Sequence, residues 1–154
     1  MLLDDKVIKV YIAAIKALRA LLNFLMCHDE VQFAAIRGQV RTVLHSVLLK
    51  CAEANKRISE DSIKTLLEVA KGREGDMGIG RFVDGSFEYN GLDLILGVIF
   101  EDEAGGQQTW DAPAGSVSNH TWILARLILL DNLMEKFSDQ FSLEAVNAKI
   151  NFKR

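Results

Sequence analysis

Proline is almost missing from this chain of 154 residues, where Pro113 is the only one. A helix interior cannot keep its hydrogen bonding through a proline, so nearly the whole length is free to be helical. Cysteine is scarce as well, with Cys27 and Cys51 alone. Two cysteines are too few for a disulfide-stapled scaffold. No apolar run reaches the roughly 20 residues that span a bilayer. The start, Met-Leu-Leu-Asp-Asp, lacks the basic opening of a secretory signal. Internal repeats and low-complexity tracts are absent. These absences exclude the fibrous, stapled and membrane-spanning classes and point to a globular protein of the cytoplasm.

What is present suits that class. Hydrophobic residues make up 49% and charged residues 25%, an ordinary globular balance. The length suits a single helix-rich domain over residues 1–154, long enough to bury a core without staples. The net charge of −3 hides a division: residues 1–73 carry +4, residues 74–120 carry −8 and residues 121–154 carry +1. Such an imbalance either neutralises within the fold or drives head-to-tail association between copies.

Helical periodicity dominates the first half. Over residues 4–27, Val7, Ile8, Val10, Tyr11, Ile15, Leu18, Leu21, Leu22, Leu25 and Met26 fill one half of the wheel. Asp5, Lys9, Lys16, Arg19 and Asn23 line the other. A turn at His28-Asp29 leads to a second stripe, Phe33, Ile36, Val40, Val43, Leu44, Val47 and Cys51. Two long helices joined by so short a turn are expected to pair antiparallel. In that arrangement Cys27 and Cys51 lie too far apart to bond, so both are expected as free thiols. Asn55 to Ile58 interrupts the pattern, and Ser59 is the expected N-cap of a third helix ending at Lys71-Gly72.

The chain then changes character. Four glycines crowd residues 72–80, and Asp84-Gly85 sits between alternating residues, the pattern of a tight hairpin. Leu92 to Phe100 is apolar, and its β-branched residues, neighbouring hairpin and internal glycine favour a strand, with a helix as the alternative. Gln107 to Asp111 offers a return strand. A small antiparallel β-meander at about residues 80–112 is therefore expected. Ser118 or Asn119 caps the next helix, which runs to about Phe137. From Trp122 to Leu130 only Arg126 is polar. A helix apolar nearly all round is expected to be dry on most sides, and this one is taken as the central core helix. Leu143, Val146 and Ile150 mark a short last helix. The fold class so read is α+β, mostly α.

Two sets of residues carry candidate chemistry. Arg126 falls on the packed side of its helix, and a buried guanidinium needs a carboxylate, a set of carbonyls or a docked partner. The acidic run Glu101, Asp102 and Glu103 is the expected source of an ion pair, with an anion-binding pocket as the functional alternative. Arg37, Arg41 and His45 recur at intervals of four along the second helix, with Lys56 beyond, a row able to hold phosphates. Arg with His on one helix is similar to the helical HEPN ribonucleases. That resemblance implies RNA cleavage, with His moving a proton and Arg steadying charge. The gap from Arg41 to His45 is shorter than that family's, and the gap from Arg37 is longer.

Other chemistries lack their residues. Cys27, His28, His45 and Cys51 have no paired metal-ligand spacing. The glycine run Gly75–Gly80 lacks the ending of a phosphate loop. Glu101 to Glu103 lacks the alternation of a calcium loop. No metal and no cofactor is therefore implied. The reading that remains is a non-enzymatic interaction or assembly module: a small subunit, adaptor or inhibitor that binds a protein partner or itself. Nucleic-acid binding along Arg37, Arg41 and His45 is the alternative, and membrane association is not expected.

Overall fold

Leu92 to Phe100, favoured above as a strand, is a helix, and it lies deepest in the protein. The computed structural model describes residues 3, 7–27, 33–71, 82–84, 87–89, 91–101 and 111–138. Among them run helices α1 (Ile8–Cys27), α2 (Phe33–Lys50), α3 (Lys56–Lys71), α4 (Gly91–Phe100) and α5 (Asn119–Lys136). Strands β1 (Phe82–Asp84) and β2 (Phe87–Tyr89) lie between α3 and α4. The architecture is thus nearly all helical, not α+β.

The expected β-meander is not formed. β1 and β2 pair antiparallel with Phe82 opposite Tyr89 and Asp84 opposite Phe87, which places Asp84 in a strand rather than in the turn. This two-stranded ladder is the whole of the sheet among the described residues. In α4, Leu92, Leu94, Ile95, Leu96, Val98 and Ile99 are all buried. A helix closes its own backbone hydrogen bonds, whereas a strand buried on both faces needs partners along its edges. An apolar run this short has no period to separate the two; its place against α2 and α3 does. Of the proposed return strand, 107–111, all but Asp111 lies outside the described residues, as does the last helix, 142–150, and Asp111 itself is not in a strand.

The helical hairpin is corrected in its packing. The end of α2 does come back to the start of α1, where Lys50 Nζ lies 5.9 Å from the centre of the Tyr11 ring. The principal contacts of α1, however, are with α3, and those of α2 are with α3, α4 and α5. The reason is in α3: Thr65 through Ala70 are all buried, so the helix is wrapped on several sides. It also begins earlier than expected. Asn55 Oδ1 accepts from the backbone N–H groups of Arg57 and Ile58 at 3.1 and 3.3 Å, which makes Asn55 the cap. Ser59 instead donates to the Cys51 carbonyl at 2.7 Å.

The α5 helix is not the dry centre. Trp122, Ala125, Arg126, Leu129 and Leu133 face the core. Leu127 and Met134 point outward and are 51% and 52% exposed. Its ends are well formed: Thr121 N–H donates to Ser118 Oγ at 3.2 Å, and Phe137 N–H closes on the Leu133 carbonyl at 2.8 Å. The rule that an all-round apolar helix is buried holds for α4, which is too short to have displayed a helical period. Among the described residues no helix is long and apolar enough to cross a membrane.

Candidate functional site

Two helices deliver cations to one place, the C-terminal end of α4. Arg126 of α5 is 1% exposed. Its Nε donates to the Ile99 carbonyl at 3.2 Å and its Nη1 to the Trp122 carbonyl at 3.0 Å. The guanidinium carbon lies 3.9 Å from the centre of the Trp122 ring. Ile99 is in the last turn of α4, where carbonyls have no partner within the helix and the dipole favours positive charge. Burial pulls the guanidinium down to about 10, which still leaves it charged at neutral pH. Carbonyls, one of the partners foreseen for Arg126, are among those it holds.

Glu101, the residue just after α4, is joined to α2. Arg41 Nη1 donates to Glu101 Oε2 at 2.8 Å. Arg41 and His45, one turn apart, are 6% and 4% exposed. Arg41 and His45 therefore do not lie on a solvated face. A guanidinium turned inward onto a carboxylate presents no open edge to a phosphate backbone. Lys56 does not extend it: its side chain is 88% exposed and pairs with Glu60 of α3 at 3.6 Å. The Arg37 side chain, Asp102 and Glu103 lie outside the described residues. Arg41 with Glu101 ties α2 to the end of α4, and Arg126 with the Ile99 carbonyl ties α5 to the same place.

A second polar seam went unread in the sequence. Arg19, expected on the polar half of its helix, turns inward. It donates from Nε to Thr65 Oγ1 at 2.8 Å and from Nη2 to the Asp61 carbonyl at 3.2 Å. Tyr11 Oη and Ser62 Oγ share a hydrogen bond of 2.6 Å. Burial pushes the Tyr11 phenol up to about 12, with the Ser62 bond opposing. The available signal was Ser62 and Thr65 standing in line with Ile58, Leu66 and Val69 on one helical face. Cys51 is a buried free thiol that burial pushes up to about 12, which makes it a poor nucleophile and a poor ligand. Among the described residues no three His, Cys, Asp or Glu side chains gather as a metal site.

The described surface also carries exposed apolar side chains. On α1, Ala13, Ala17, Ala20, Leu21 and Phe24 are exposed, with Lys9 and Lys16 exposed beside them. On α5, Leu127 and Met134 are exposed beside Asp131 and Glu135.

Over residues 1–152 the chain matches the family described as "Mitogen-activated protein kinase kinase kinase 1, TOG domain". It is similar to mitogen-activated protein kinase kinase kinase 1 of Rattus norvegicus, 35% identical over 149 residues, which cover 96% of this chain and 9% of the relative. The same protein of Homo sapiens is 35% identical over 153 residues, covering 98% and 9%. The chain thus spans 9% of the length of the curated relatives it matches.

Proposed function

This chain belongs to the TOG-domain family of mitogen-activated protein kinase kinase kinase 1, and on that premise we propose that it is a helical protein-interaction module serving as an adaptor within a larger chain or complex. One observation carries the reading. Large apolar side chains stand half exposed on the outer faces of α1 and α5, while Arg19, Arg41 and Arg126 are committed to hydrogen bonds within the fold. Exposed apolar groups rimmed by charge mark contact surfaces for other proteins. The kinase activity in the relatives' name is not part of the proposal: the chain has no His-Arg-Asp or Asp-Phe-Gly motif. The buried thiol of Cys51 suits the reducing cytoplasm.

Proximity labelling in cells tests the reading. The chain fused to a biotin ligase is compared with Leu21→Ser plus Phe24→Ser and with Leu127→Ser plus Met134→Ser. Selective loss of labelled proteins, with melting temperature unchanged, supports an interaction module. Identical profiles in all three would overturn it. Nucleic-acid binding through Arg37, Arg41 and His45 has less support, since Arg41 would first have to leave Glu101.

A further inference from the structure

The two outward faces are complementary. On α1, Leu21 and Phe24 are 53% and 56% exposed, and Lys9 and Lys16 are exposed along one edge. That helix contains no acidic residue. On α5, exposed Leu127 and Met134 are joined by half-buried Ile123 and Leu130, with Asp131 and Glu135 exposed along one edge. Ala13, Ala17, Ala20 and Phe24 follow one another at intervals of four, three and four, and so do Ile123, Leu127, Leu130 and Met134. That spacing keeps four side chains in one stripe along a helix.

We propose that the α1 face of one copy of this chain docks on the α5 face of a second copy. The proposal rests on the interaction-module reading and names its partner. Laid parallel and in register, Ala13, Ala17 and Ala20 come opposite Ile123, Leu127 and Leu130. Small side chains facing large ones allow the helix axes to approach to the usual ~8–10 Å. Phe24 comes opposite Met134, a favourable ring–thioether pairing. Lys16 then falls on the edge that carries Asp131.

Charge selects this pairing over the symmetric ones. Joining α1 to α1 sets Lys9 and Lys16 of both copies against each other when the helices run antiparallel, and against an edge without any acid when they run parallel. Joining α5 to α5 gathers Asp131 of both copies in the same way. Like charges brought together weaken a contact and opposite charges fix its partner. Because the two faces differ, the contact is head-to-tail, and every copy added leaves one α1 face and one α5 face open at the ends.

Sedimentation velocity on the chain over a wide concentration range tests this. The wild type is expected to grow in size with concentration and to do so less at high salt. Leu21→Glu plus Phe24→Glu removes one face, and Leu127→Glu plus Met134→Glu removes the other. Each variant alone is expected to stay monomeric, and their mixture to form pairs that grow no further. Lys16→Glu is expected to weaken association roughly tenfold, and Asp131→Lys in the same chain to restore it. Helical circular dichroism and melting temperature verify that each variant is folded. A wild type that stays monomeric throughout, or association that survives both face variants, overturns the proposal. If the wild type is monomeric but the face variants lose partners in cells, the interaction module stands and self-association falls.

Discussion

Arg126 holds its place by meeting two needs with one planar group. It satisfies a carbonyl at the open end of α4 and sits over the Trp122 ring. Truncation to alanine leaves the Ile99 carbonyl without that donor and opens a cavity, so Arg126→Ala is expected to lower unfolding free energy by about 2–4 kcal/mol. Arg126→Lys is expected to recover less than half of it, because an ammonium cannot serve both carbonyls and the ring. Urea titrations of the three proteins check the order. Arg126 was identifiable in the sequence as a polar residue in an apolar run. That it is met by the end of a helix was not, because the run supplying that end had no period of its own. Buried titrating groups also set the response to pH. Burial raises the Tyr11 phenol and the Cys51 thiol to about 12 each. The unfolded chain gives up these protons sooner, so the stability they contribute is complete below about pH 9 and is lost as pH rises towards about 12. Arg126, lowered to about 10, works in the opposite direction above that pH and offsets only part of the loss. Urea midpoints are therefore expected to fall between pH 8 and pH 11, and to fall less steeply in Tyr11→Phe plus Cys51→Ala.

Elements differ in how tightly they are fixed, and two glycines show it. A Cβ at Gly91 would collide with the Val69 carbonyl, so the first residue of α4 rests directly on the backbone of α3. Gly91→Ala is expected to destabilise by about 1–3 kcal/mol through overpacking. Gly38 in α2 has nothing within 4 Å of the same position. There the change to alanine removes backbone freedom from an exposed helix and is expected to stabilise by about 0.5–1 kcal/mol. Opposite shifts in melting temperature for the two substitutions are the check. A third substitution separates the two readings of the start of α3. Asn55→Ala is expected to cost about 1 kcal/mol as loss of a cap. Had Ser59 been the cap, Asn55→Ala would leave stability unchanged. The sequence favoured Ser59 because acids follow it at Glu60 and Asp61. The structure prefers Asn55 because Ser59 is drawn back to Cys51 by the turn between α2 and α3.

The buried apolar residues of all five helices form one connected cluster, from Ile15 in α1 to Leu133 in α5. Circular dichroism at 222 nm and tryptophan fluorescence are accordingly expected to report a single coincident unfolding transition in urea. Two separated transitions would show that α1–α3 and α4–α5 fold apart. At this scale the sequence by itself determined the helical stretches of α1, α2 and α5, the end of α3 at Lys71, a cap at Ser118 or Asn119, of which the structure uses Ser118, and the buried state of Arg126. These follow from periodicity and capping chemistry, which act between residues a few positions apart. Only the tertiary structure decided that Leu92 to Phe100 is helical, that α4 rather than α5 is the centre, and that Arg19, Arg41 and His45 turn inward. Those outcomes depend on which surfaces meet. A buried arginine and a solvated one carry the same letter at the same helical spacing, and the difference lies in a carbonyl or carboxylate brought from dozens of residues away.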